Sequence, residues 1–441
     1  MNKGTIRILV ALGLVLLLGV SWYTLISDGT KQAKQYNTYI NTAREKAKLK
    51  IEKDAVNNYE SALAMRDTIE LRDEVAQFYK DLGEYGKYSE YCSDIIDRYP
   101  YEKNGYERLV EYYSDTMNYY QSYSTANLAE KRGVQSDKIK QICEQNKYKY
   151  EVTYVSYRQT GPFTGGYFPV QKEDGTWGFI NAYGSTKVSC IYKKVAPFTS
   201  SKLAPAYTQK GRWELIDTSG NTKSVDAEEK QIEDVRAVYS DLMAVKYAGK
   251  YHYCNVDFKE KFGSYDDASA FSSGVAAVKN GSQWMIIDDK GNQVGSNTFD
   301  EILMDDKTVA FRNNVAFARK GDKYILIDTK GNQVGNSSWD EADAFNSDQP
   351  AAVRTEKKWG FVNEKGETVV EPKYDGAHSF SNGFAAVKDG KEWGFIESEN
   401  YKICIDYEFD DAGDFSDGGS VFVKRIETWS LLKVYSISKQ K

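Results

Sequence analysis

The chain has 441 residues, 28% charged and 41% apolar, which excludes a disordered polymer and allows two or three domains with sizeable cores. Its net charge of −6 gives no reason to expect nucleic acid, which calls for a concentrated basic face. Five widely spaced cysteines (Cys92, Cys143, Cys190, Cys254 and Cys404), with no C-x-x-C, leave neither a disulfide framework nor a zinc signature.

The first segment, residues 1–29, holds an uncharged run from Ile8 to Ile26. Nineteen residues of helix span about 28 Å, close to the hydrocarbon thickness of a bilayer. Trp22 and Tyr23 stand near its far end, at the depth where aromatic side chains prefer the headgroups. The run predicts a single transmembrane helix over 8–26. A cleaved signal peptide with a small-residue site at Gly19-Val20-Ser21 is the alternative, and the uninterrupted "WYTLI" argues against it. Lys3 and Arg7 favour a cytoplasmic tail with the remainder exported, while Lys31, Lys34, Arg44 and Lys46 weigh the other way. Export is the expected topology, and it places the following domains outside the cytoplasm.

Residues 30–147 are rich in Ala, Glu, Lys and Leu and contain no proline before Pro100. Apolar residues such as Ala62, Ile69, Leu71, Val75 and Phe78 recur at three- and four-residue steps, which predicts helices. The stretch "EVAQFYKDLGEYGKYSEYCSDIIDRYP" resembles a tetratricopeptide unit. That resemblance puts Tyr79 in a first helix, Gly83 and Tyr85 at the turn, Cys92 and Ile95 in a second helix, and Pro100 at its end. It is partial, because Tyr88 stands where that family has a small residue and Arg72 replaces its first aromatic. Tyr106, Leu109 and Tyr113 are in phase for a further helix. A spacer stalk and a peptide-binding groove are both compatible with this segment.

From residue 148 to 441 the grammar changes. Aromatic marks recur at Trp177, Trp213, Tyr251, Trp284, Tyr324, Trp359, Trp393 and Trp429, about eight units with a mean step of 36 residues. Each mark follows an apolar strand such as "FAAVKDGK". It leads into "GFI" or "ILID", a turn such as "DTKGNQV", and a second strand ending in "YDDASAF" or "WDEADAF". The recurring Asp of "YD" and "FD" is expected to cap a turn through its side chain. "KKWGFVNEKGETVVEPKYDGAHSFSNGFAAVKDGKEWGFIE" resembles the WG-repeat (KWG-repeat) family. The resemblance implies a tandem β-repeat and carries no agreed activity. Trp-Gly survives at Trp177-Gly178, Trp359-Gly360 and Trp393-Gly394, where glycine lets a neighbouring backbone approach. One such unit cannot bury its apolar face alone, so the eight aromatics are expected to be structural.

The last unit stops about twenty residues short of completion. Tyr148 to Tyr157 could supply the missing strand and close a propeller-like ring, and an open β-solenoid is the alternative.

Chemistry is thin. His252 is expected to be packed and His378 to lie at a variable surface position; neither sits in a motif of a nucleophilic triad. Asp410, Asp411, Asp414 and Asp417 do not keep the spacing of a calcium loop. No catalytic, cofactor-binding or metal-ligating residue is predicted. The expected function is a non-catalytic, membrane-anchored scaffold presenting the repeat surface to a protein partner at the cell envelope. A cell-wall polysaccharide-binding module is the runner-up. A carbohydrate-active enzyme using the acidic loops comes last.

Overall fold

The computed structural model describes residues 22, 29–224, 231–239, 241–305 and 309–436, and the chain divides into units 1–146 and 147–441. The predicted span 8–26 lies outside these residues except for Trp22. No described helix is long and apolar enough to cross a membrane.

The first unit is helical. Among the described residues seven helices follow in order from residue 29: α1 (29–48), α2 (Glu52–Met65), α3 (Ile69–Leu82), α4 (Tyr85–Arg98), α5 (Lys103–Asp115), α6 (Tyr119–Lys131) and α7 (Asp137–Gln145). The Thr68 hydroxyl accepts from Leu71 N and starts α3, and Gly83 at φ 78° ends it in the left-handed region that glycine tolerates best. α4 stops two residues before Pro100. Tyr88, Cys92 and Ile95 are fully buried and share a core with Tyr106, Leu109 and Val110. A Cβ on Gly105 would lie 2.8 Å from Ile96, so glycine sets the close approach of α4 and α5. Arg72, the odd residue of the tetratricopeptide comparison, is buried and held by Asp67 at 2.6 Å and Asp94 at 2.5 Å. Carboxylates at that distance offset the cost of desolvating its charge.

The second unit is a ring of eight antiparallel sheets, each a blade. Blades 1 to 7 occupy residues 159–192, 194–224, 232–265, 267–299, 301–339, 341–374 and 376–409 in turn. Blade 8 takes three strands from 411–434 and its fourth from the start of the unit, Tyr150–Tyr157. That strand pairs antiparallel with Thr428–Val434, in the register Tyr150↔Val434 and Tyr157↔Trp429. The chain therefore closes on itself, as the incomplete last unit led one to expect, and the open solenoid is set aside.

Eight apolar clusters, one between each successive pair of blades, confirm the closure. Phe179 and Phe198 join blades 1 and 2, Phe395 and Phe415 join blades 7 and 8, and Phe168 with Phe422 joins blade 8 back to blade 1. The Ser420 hydroxyl also donates to Ala182 O across that last seam, at 2.6 Å. Blades 4 and 5 keep only three regular strands; their outer segments touch through bridges such as Trp284↔Phe299 and Tyr324↔Trp339.

The sequence unit and the blade are out of phase. The register aromatic opens the third strand of a blade, and the "YD" that ends a sequence unit lies where one blade hands over to the next. A Cβ on Gly178 would meet Cys190 N at 2.7 Å, one on Gly360 Pro372 N at 2.8 Å, and one on Gly394 Ile405 O at 2.7 Å. Each glycine faces the bulged fourth strand of its own blade. Blade 3 has His252 at this position, and the glycine has moved to the facing strand as Gly263 at φ 97°.

Candidate functional site

Alternation of strand direction gives the ring two faces. One carries the tight turns between first and second strands, where Ser273-Gly274, Asn313-Asn314 and Asn382-Gly383 all have positive φ. Pairs of backbone bonds close these hairpins, as in Ser381 with Phe384 at 2.8 and 3.1 Å. The other face carries the turns between second and third strands together with the blade-to-blade junctions.

On the hairpin face, side chains link neighbouring blades. Ser347 Oγ donates to Phe380 O at 3.1 Å, Asn382 Nδ2 to Phe415 O at 2.7 Å, and Ser379 N to Asp343 Oδ2 at 2.7 Å. Among the described residues, contacts that skip a blade mark the ring's centre, Arg312 of blade 5 with Tyr239 of blade 3 among them. Asn346 Nδ2 of blade 6 donates to Asp414 Oδ2 of blade 8 at 3.0 Å, and Arg236 Nη1 of blade 3 lies 3.3 Å from Met304 Sδ of blade 5. Arg236 is further held by Asp267 at 2.6 Å and lies over the Tyr251 ring at 4.6 Å. Arg312 donates to the buried Asp305 at 2.9 Å. Burial pulls the Arg312 pKa down, and Asp305 and Tyr239 together outweigh it, leaving the guanidinium firmly ionised.

On the opposite face the recurring Asp has its role. Asp266, Asp300, Asp340, Asp375 and Asp410 each accept a backbone N–H from the turn of the next blade: Gly281, Gly321 and Glu356 at 2.7 Å, Gly390 at 2.8 Å and Ile426 at 2.5 Å. The second carboxylate oxygen takes a side chain from the preceding blade, Lys323 for Asp340 at 2.6 Å and Lys358 for Asp375 at 2.7 Å, with Lys250 on Asp266 in the same way. Asp266, Asp340 and Asp375 thus each tie one blade's register lysine to the next blade's turn, and Gln283 takes the lysine's place on Asp300 at 3.4 Å. The lysine, followed by the turn N–H, holds the Asp266, Asp340 and Asp375 carboxyls below the usual range. Turn capping was legible in the sequence; the inter-blade tie was not, because its partners lie 15 to 17 residues away.

The eight register aromatics are packed to different degrees. Trp213, Tyr251 and Trp284 are buried, while Trp177, Tyr324, Trp359, Trp393 and Trp429 are half-buried along the blades. They stand on separate blades and do not converge. His252 stacks on Tyr247 at 4.0 Å, with Nδ1 3.2 Å from Glu260. His378 is half-buried, with its ring 4.8 Å from that of Trp393. Burial pushes the Cys92 and Cys404 thiols up to about 12, and those of Cys143 and Cys190 also rise, the direction of inert rather than reactive sulfur. Asp410, Asp411, Asp414 and Asp417 are spread between the two faces, and no group of three or more metal-ligating side chains occurs among the described residues.

A family model described as "WG containing repeat" matches residues 177–213, 264–284 and 359–393. Among solved structures, the WD40 domain of SCAP from fission yeast is similar at 8% identity and TM-score 0.39, covering 66% of this chain and 98% of that one. Kluyveromyces lactis Hsv2p is similar at 9% identity and TM-score 0.36, covering 57% and 92%. Virginiamycin B lyase from Staphylococcus aureus is similar at 10% identity and TM-score 0.34, covering 65% and 99%. No curated protein matches the chain.

The sheet order and the eight shared cores define the class: an eight-bladed β-propeller, with WG-repeat matches in three of its segments, preceded by an α-helical unit.

Proposed function

We propose that this protein is a non-catalytic scaffold, held at the membrane by residues 8–26, that presents its propeller to a protein partner at the cell envelope. The helical unit is a tetratricopeptide-like spacer, with α3 and α4 as its best-formed pair. One observation carries the reading. The ring is closed by its own N-terminal strand, so eight sets of equivalent turns are held on a rigid frame. The candidate chemical groups support it too, because the histidines pack against aromatics and four of the thiols have raised pKa values. The test is affinity capture of the full chain from crosslinked cells, beside protease shaving of intact cells. A protein recovered at fixed stoichiometry, with the propeller digested from outside, is the expected result. Glycan recovered without a protein would favour the polysaccharide reading. Protection of the propeller until lysis would overturn export.

A further inference from the structure

The acidic tie that joins successive blades is reversed in one sector. At the junctions into blades 3 to 8 the position facing the next turn is Glu233, Asp266, Asp300, Asp340, Asp375 or Asp410. At the junctions into blades 1 and 2 the same place, fixed by the same backbone bond to the end of the second strand, holds Arg158 and Lys193. The next position is acidic in five blades: Asp234, Asp267, Glu301, Glu341 and Asp411. Blade 2 has Lys194 there. Its cross-strand partner is basic in blades 3 to 8, as in Arg319 and Arg354, but is Gln171 in blade 1 and Tyr207 in blade 2. Acid has become base and base has become neutral, so the ion pairs of the other blades have no counterpart here.

The turns of these two blades add Lys172, Lys210 and Arg212. All six basic side chains, Arg158, Lys172, Lys193, Lys194, Lys210 and Arg212, are exposed, and none forms an ion pair among the described residues. Asp174, one of two acids in the turns, is occupied by Thr176 through N at 2.9 Å and Oγ1 at 2.6 Å. Between the blades runs an open groove of about 500 Å³ lined by Asp174, Gly175, Thr176, Cys190, Ile191, Lys193 and Gln209, so Lys193 lines it directly and the other five basic side chains stand around it. Six like charges on one sector repel each other, in a chain whose net charge is −6.

We propose that this sector is a binding site for a linear anionic glycan lying along the groove. The basic side chains provide point charges for successive carboxylates or phosphates, and Thr176 Oγ1 and Gln209 Oε1, whose side chains donate to Asp174 and Ile191 O, can accept hydrogen bonds from hydroxyls. No aromatic side chain lines the groove, so nucleobases have no platform in it to stack on. Ile191 is its one large apolar side chain, too little for the aromatic anchors of a protein interface or for insertion into lipid. The site stands independently of the protein partner proposed above.

The test uses the full-length chain and polygalacturonate decamers in fluorescence anisotropy, at 50 and 200 mM salt. Lys193→Asp/Lys194→Asp restores the acidic pattern of the other blades, so its melting temperature should hold while affinity falls by at least about tenfold. Lys210→Ala/Arg212→Ala, confined to an exposed turn, should give a loss of the same sign and a shallower salt dependence. Retention of affinity within about twofold in both variants would overturn the proposal. So would tighter binding of single-stranded DNA, polyglutamate or anionic phospholipid vesicles than of the glycan.

Discussion

Replacing Gly394 by alanine isolates the reason for glycine in the Trp-Gly pair. Gly394 has ordinary φ, so the effect is steric and not a matter of backbone preference. The new Cβ would stand 2.7 Å from Ile405 O and 3.0 Å from the carbonyl carbon of Asp406. A comfortable carbon–oxygen contact is about 3.3 Å or more, so the third and fourth strands of blade 7 must part by roughly 0.6 Å. That strains the ladder at Phe395↔Ile405 and Ile396↔Ile403 and loosens the Phe395–Phe409 core. Overpacking costs of 1–3 kcal/mol with one weakened backbone bond put the loss at about 2–3 kcal/mol. At roughly 2–4 °C per kcal/mol, the melting temperature should drop by about 5–10 °C. Tryptophan fluorescence is the assay, because seven of the eight tryptophans belong to the ring unit. Gly413→Ala is the control: its Cβ would meet Phe422 O at 3.5 Å, an ordinary contact, and should cost under about 0.5 kcal/mol. Equal melting of the two variants would refute the steric account.

Val152→Asp should open the blade 8 seam, since Val152 pairs with Leu432 and packs into the blade 7–8 core; the expected sign is a broadened, lower melt, and an unchanged melt would count against closure. The acid limb follows from the ties. The Asp266, Asp340 and Asp375 carboxyls are depressed in the folded state, so their stabilisation is complete above the unfolded value near 3.9 and is lost as pH falls through the lower folded values. Asn at all three positions should flatten the melting temperature against pH between about 4 and 2, and an unaltered acid slope would contradict this. In the helical unit, Thr68→Ala removes the cap on Leu71 N and should cost about 1 kcal/mol by chemical denaturation followed by circular dichroism.

Much of the ring was legible because its signals are local. The step between aromatics, the Gly-containing turns and the unpaired strand at Tyr148 to Tyr157 all survive as sequence pattern. The blade phase was not, because a repeat has no marked origin and the Trp mark falls in the middle of a sheet. The central contacts were hidden for a different reason. Asn346 and Asp414 are 68 residues apart and meet only because the ring brings alternate blades to one axis. The reversed sector shows how structure sharpens a sequence. "YRQ" at Tyr157 and "YKK" at Tyr192 look like drift until Asp375 and its relatives show that the middle position ties two blades together.

The scaffold reading is tested most directly by site-specific photo-crosslinking in intact cells, from Asp417 on an exposed hairpin turn and from Glu371 on the outer rim of blade 6. The account predicts a discrete protein adduct from Asp417 and none from Glu371. No adduct at Asp417, or the same adducts from both positions, would contradict it.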